Sequence, residues 1–135
     1  MSVQPDTPDD YGQFPLRSFL GMEMSEAGEP GRASACLEVG DQHLNPNGMV
    51  HGAVLFALLD TAMGSAAMSV LPEGQYATSV DLQLRFVRPA SGGRLVAEVE
   101  VLKQGRNVMH LEGRVTDGGE RLVSTAAGTF TTFSV

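Results

Sequence analysis

The stretch HGAVLFALLDTAMGSAAMSV, His51 to Val70, decides the fold. It is too long for a strand and rich in Ala, Leu and Met, so it predicts a helix over about 52–70. Apolar or small residues occupy almost every side, and a helix of that kind belongs inside a protein. The run also approaches the length of a membrane span. However, Asp60 stands near its middle, where a carboxylate costs roughly 2.5–3.5 kcal/mol on insertion scales, and no Lys or Arg flanks it. A buried core helix is the better reading. Asp60 is then the puzzle, because nothing else from Gln42 to Pro72 is Asp, Glu, Lys or Arg. An unpaired ionised carboxylate out of water is costly, so such a group is normally absent, paired or useful.

Around this helix the chain reads as strands. FPLRSFLGMEMSEA suggests a short helical turn and then a strand over about 20–27. GEPG at 28–31 is a turn, and RASACLEV at 32–39 is the partner strand. GDQHLNPNGMV is a polar loop leading into the helix, and LPEG at 71–74 ends it. ATSVDLQLRFVRP places Val80, Leu82, Leu84 and Phe86 on one face, with Asp81, Gln83 and Arg85 on the other. RLVAEVEVLKQ alternates in the same way. NVMHLEGRVTD and ERLVSTAAGTFTTF follow, joined through DGG at 117–119, a hairpin signal. Consecutive strands with short turns are antiparallel. The expected order is two strands, one buried helix and four strands. A helix that needs cover on all sides calls for a sheet curled round it, with a second copy of the chain covering what the sheet leaves open.

At 135 residues, 42% hydrophobic and 19% charged, the chain is sized for one globular domain. Residues 1–14, MSVQPDTPDDYGQF, have neither a basic nor an apolar leader region, and their Pro and Asp content predicts a mobile tail. The domain is then expected over 15–135. The single cysteine, Cys36, forms no internal disulfide and no metal site, and fits a reducing, cytoplasmic setting. A net charge of −7 argues against nucleic acid as a partner. The charge is uneven: eight of the 16 acids lie in residues 1–41, whereas from Arg85 onward there are seven bases against five acids. An anionic small ligand can still meet a basic rim there.

Three blocks carry a family resemblance. NPNGMVHGAVLFALLDTAMGSAA resembles the signature of hotdog-fold thioesterases of the phenylacetate-degradation type: Asn, then Gly, then His-Gly, and an Asp nine residues after the His. ATSVDLQLRFVRPA and LKQGRNV are similar to the next two blocks of that family, in order and with matching spacing over roughly 40–132. The resemblance implies an α+β hotdog fold and hydrolysis of acyl-CoA or aryl-acyl-CoA thioesters. It implies no metal and no cofactor beyond coenzyme A as part of the substrate. By position it makes Asp60 the general base or nucleophile and the Gly52 backbone N–H the group that polarises the thioester carbonyl. Asn45 and Ser79 help place the water and the carboxylate, and His51 is the motif histidine. Thr78, Arg88, Gly105 and Arg106 are the candidate substrate and coenzyme A contacts, with Arg85 and Arg94 weaker. The family's second Gly after the His is Ala53 here, which can narrow the acyl pocket or shift the helix start.

Helix geometry adds a constraint of its own. His51 and Asp60, nine residues apart, are separated by about 13–14 Å and half a rotation, so one helix cannot bring both ends to a single carbonyl. If both act on one substrate, they belong to different subunits. A homodimer with sites at the interface follows, or a homotetramer built from two of them. The first turn of the helix offers unsatisfied N–H groups and positive potential to an oxygen gaining charge, and Gly52 lets a substrate approach closely. Burial should raise the Asp60 pKa, and a hydrogen bond from Ser79 or Thr78 would favour the charged form. Several residues also have plain structural readings. Asn45 suits a turn, His51 suits a helix brace, and Arg88 and Arg106 suit solvated strand ends. His43 and His110 read as structural. Two rival functions share the fold: an acyl-CoA sensing module without catalysis, and a hydratase, which the nine-residue spacing disfavours.

Overall fold

The computed structural model describes residues 14–25, 28–118 and 120–134. The chain forms a short helix α1 (Pro15–Leu20), strands β1 (Glu23–Met24) and β2 (Arg32–Glu38), a 3-10 turn (Asp41–His43) and the long helix α2 (Gly52–Met68). Strands β3 (Gln75–Phe86), β4 (Arg94–Gln104), β5 (Val108–Asp117) and β6 (Arg121–Ser134) follow. The strands make one antiparallel sheet in the order β1-β2-β4-β5-β6-β3. It curls round α2, which packs against β2, β3, β4, β5 and β6. The tail expected over 1–14 lies outside the described residues except for Phe14, which packs against the core.

Two strands, a helix and four strands is the expected order, and the α+β class holds. Of the strand expected over 20–27, residues 26 and 27 lie outside the described residues, and among the rest only Glu23–Met24 is strand. Leu20 ends α1 instead, and Gly21 reverses the chain in a left-handed conformation at φ 71°, its N–H bonded to the Ser18 carbonyl. The alternation read for β4 is observed: Leu95, Ala97 and Val99 are buried and Glu98 is exposed. On α2, Leu58, Leu59, Ala62, Met63, Ala66 and Ala67 are wholly buried. Two sheet glycines allow this close seating. A Cβ at Gly113 would lie 2.6 Å from Val99 Cγ1 and 3.1 Å from Leu59 Cδ2, and one at Gly128 would lie 2.6 Å from Met63 Sδ.

The sheet of a single chain does not cover α2 on every side. Ala53 and Phe56 are exposed, and Ala57, Asp60, Thr61 and Met68 are half-buried, so one edge of the helix is left open by its own sheet. These positions recur every three or four residues, which places them on one stripe. Beside that stripe runs β3, whose only strand partner among the described residues is β6, which leaves its outer edge free of them. A free sheet edge carrying exposed Val80, Phe86 and Val87 invites a partner.

β3 also departs from simple alternation. Ser79 pairs with Phe130 and Asp81 pairs with Thr129, so Val80 is an extra, bulged residue, 61% exposed. A bulge reverses the parity of a strand. Ala77 packs on the core before it, and Leu82 and Leu84 do so after it. The sequence pattern that put Val80 on one face with Leu82 and Leu84 is therefore corrected, and Ser79 gains the helix-facing side.

Two substitutions test the packing by chemical denaturation. Leu59→Ala should lower stability by about 2–5 kcal/mol through the cavity it leaves. Gly113→Ala should lower it by about 1–3 kcal/mol through overpacking against β4.

Candidate active site

The loop before α2 is built to deliver one backbone donor. The side chain of His43 is buried between two backbone groups: Nδ1 accepts from Gly40 N–H at 2.9 Å, and Nε2 lies 2.7 Å from the Leu20 carbonyl. One ring nitrogen must accept and the other donate, which is the neutral imidazole. The structural reading of His43 is correct. His110 is instead exposed on β5, opposite Thr129. The Asn45 carboxamide oxygen accepts from Asn47 N–H at 2.9 Å and Met49 N–H at 3.1 Å, closing the turn. Val50 N–H bonds to the Ala90 carbonyl at 2.7 Å, and His51 N–H bonds to the His43 carbonyl at 2.8 Å.

His51 caps α2. Its Nδ1 accepts from Ala53 N–H at 2.9 Å, and its carbonyl accepts from Val54 N–H at 2.9 Å. Gly52 N–H has no acceptor among the described residues. Of the first N–H groups of a 17-residue helix, the one at Gly52 is therefore available to an outside oxygen, at the positive end of the helix dipole. Asn45 and His51 spend acceptor atoms on the backbone, as braces of this donor.

Asp60 lies two turns further along, on the open edge of α2. It is half-buried, and burial raises its pKa above the ordinary 3.8, while a hydrogen bond from the Ser79 hydroxyl pulls it back. Ser79 reaches Asp60 because of the bulge at Val80. Its neighbour Thr78 falls on the opposite face of the sheet, so of the two it is Ser79 that acts on the carboxylate.

Phe86 was missed as a site residue in the sequence. Its ring lies against Gly52: a Cβ there would sit 3.1 Å from Phe86 Cζ and 3.3 Å from Cε1. The open side of Gly52, expected to admit the substrate, is occupied by this ring. Once Val80 is recognised as bulged, parity puts Phe86 on the helix side with Leu82 and Leu84, but alternation alone does not show which helix residue it meets.

A family model described as the thioesterase superfamily matches residues 47–124, a segment that contains Gly52, Asp60, Ser79 and Phe86. The chain belongs to the thioesterase superfamily. A candidate esterase of Mycobacterium tuberculosis is 32% identical over 128 residues, covering 92% of this chain and 91% of that one. A solved thioesterase family protein from Silicibacter pomeroyi superposes with a TM-score of 0.86 at 26% identity, covering 94% and 95% of the two chains. A phenylacetic acid degradation-related protein from Ralstonia eutropha JMP134 superposes with a TM-score of 0.78 at 31% identity, covering 86% and 88%. The architecture is the hotdog fold, and thioester hydrolysis is the general reaction these likenesses support.

In this member of the thioesterase superfamily the two candidate phosphate contacts lie far apart. Arg88 follows β3 near the start of α2, and its guanidinium donates to the Leu122 carbonyl at 3.2 Å. Gly105 and Arg106 lie in the β4–β5 turn near the end of α2, where the Gln104 amide reaches the Val70 carbonyl at 3.2 Å. The 11 residues of β4 separate these two ends, roughly 30 Å at strand rise. One chain does not bring both to one phosphate. Gly105 has a local reason to be glycine, because a Cβ there would lie 2.8 Å from the Val108 carbonyl oxygen. The Arg94 guanidinium donates to Cys36 Sγ at 3.1 Å and reaches Glu38 at 4.0 Å, and Arg85 is exposed. Among the described residues no group of His, Cys, Asp and Glu converges to hold a metal, and no helix is long and apolar enough to cross a membrane.

The raised Asp60 pKa has a stability consequence with a definite sign. Below the ordinary carboxylate pKa both folded and unfolded chains are protonated at Asp60, and the fold bears no cost. As pH rises through the elevated folded value, the fold must carry a half-buried charge and loses that stability. Asp60→Asn should therefore melt at a higher temperature than wild type near neutral pH. The gain should shrink on acidification toward about pH 4, as read by thermal denaturation across that range.

Proposed function

We propose that this protein hydrolyses acyl-CoA thioesters, aryl-acyl ones included, to the free acid and coenzyme A. The observation that carries the reading is Asp60 on the open edge of α2, held by Ser79 and placed on the same helix as the unpaired Gly52 N–H. Gly52 and Asp60 are eight residues apart, about 12 Å along the axis. Their meeting at one carbonyl requires two chains. A two-fold dimer through the free edge of β3, with the two α2 helices antiparallel, brings Gly52 of one chain toward Asp60 of the other. The exposed Phe56, Val80, Phe86 and Val87 favour such a contact. The same symmetry brings the Arg106 end of one chain beside the Arg88 end of its partner, where both can approach the phosphates of one coenzyme A.

In the reaction, Gly52 N–H donates to the thioester oxygen as it gains charge in the tetrahedral transition state. Asp60 either takes a proton from water as the water oxygen bonds to the carbonyl carbon, or attacks that carbon itself to give an anhydride that water then opens. In both routes the C–S bond breaks, and the leaving thiolate ends as the free thiol of coenzyme A. Only water and the substrate are consumed.

Thiol release from a panel of acyl-CoAs, followed with sedimentation of the same samples, tests the reading. Wild type should turn over, and Asp60→Asn should lose about 10²–10⁴-fold in kcat. The acid limb of kcat should lie above the ordinary carboxylate range, because the ionised form is required and burial disfavours it. Ser79→Ala should move that limb to still higher pH. Full activity in Asp60→Asn, or an active species that sediments only as a monomer, overturns the proposal. Tight binding of acyl-CoA without turnover by wild type points to a sensing module.

A further inference from the structure

We infer that Phe86 is a positioning residue for the Gly52 N–H, and that position 52 is glycine because of the Phe86 ring rather than to leave room for substrate. The inference rests on the reading of Gly52 as the donor to the thioester oxygen. A Cβ at position 52 would meet three ring atoms, Cζ at 3.1 Å, Cε1 at 3.3 Å and Cε2 at 3.8 Å. The first two separations are tighter than ordinary van der Waals contact, so either the ring or the helix start would have to yield.

The ring has little freedom at its root. Phe86 is the last residue of β3 and pairs with Ser124. The wholly buried Ser124 hydroxyl donates to the Arg85 carbonyl at 2.9 Å. Val87 N–H and Arg88 N–H both bond to the Val123 carbonyl, at 2.8 and 3.2 Å. Backbone bonds on both sides thus anchor the end of β3, and the ring bears on the first residue of α2. Phe86 is 61% exposed in the single chain, which leaves one side of the ring for the proposed dimer contact. The other side bears on Gly52, whose N–H has no acceptor among the described residues. The ring sets how far the helix start can drift toward β3, and with it the direction of the donor. A donor displaced by a fraction of an ångström loses transition-state stabilisation more than ground-state binding, so the effect belongs in kcat.

A double-mutant cycle tests this on the full-length protein by thiol release. Phe86→Leu should lower kcat about tenfold with KM held within about threefold, and Gly52→Ala should lower kcat about 100-fold. The double variant should recover to about the level of Phe86→Leu alone, because the smaller side chain at 86 admits the new methyl. If residue 52 is small to admit substrate, Phe86→Leu gives no rescue and the two losses add. Additive losses, or a wild-type kcat in Phe86→Leu, overturn the inference. The α-proton resonances of Gly52 supply a readout independent of turnover. Ring current should displace them in wild type and release them in Phe86→Leu, and undisplaced resonances overturn the contact even in an active enzyme. A wild type inert toward every thioester, with those resonances displaced, overturns the functional reading and the positioning role together while leaving the packing in place.

Discussion

The structure depends on a helix that must be buried along most of its surface yet keep one carboxylate within reach of solvent. Leu58, Leu59 and Met63 drive the burial; each is wholly enclosed, and enclosure of such a side chain contributes about 1.5–3 kcal/mol. Asp60 opposes it, because its charged form is weakened by the same surroundings. The sheet resolves the conflict by curling only part of the way. It seats the leucines through the gaps left by Gly113 and Gly128, and it stops at β3, which leaves the Asp60 edge of α2 uncovered. The unpaired strand edge, the apolar residues beside it and the open side of the helix all follow from that one stopping point.

The hydrogen bonding ahead of the helix shows a similar economy. His43, Asn45 and His51 are polar residues of types often found in catalysis, yet each spends its acceptor atoms on nearby backbone. The result is a hydrogen-bonded lead-in that leaves the N–H of Gly52 without an acceptor among the described residues. An available donor in such a frame needs no reorganisation when charge develops before it, and this is where fixed dipoles outperform water.

Much of this was legible in the sequence, for identifiable reasons. The long apolar run forced α2, period-two alternation forced β4, and the isolation of Asp60 marked it as a candidate. The bulge was not legible, because Val80, Leu82, Leu84 and Phe86 make a convincing single face when read alone; only pairing with β6 shows that Val80 has no opposite number. The separation of Arg88 from Arg106 was hidden as well, since neighbouring loops in sequence come to lie at opposite ends of a long hairpin. The contact between Phe86 and Gly52 joins residues 34 positions apart, and nothing local encodes it. The open edge of α2 was visible only as the need for more cover than one chain supplies.

The bulge at Val80 also bears on how this chain can diverge. Ser79 and Phe86 both address the helix, yet an even number of unbulged steps would be needed for two strand residues to share a face, and seven separate them. One unpaired residue reconciles them. Loss or gain of a single codon between these positions would turn one of the two away from α2 while leaving composition almost unchanged. The β4–β5 turn is free of that constraint, whereas the length of β3 between Ser79 and Phe86 is locked.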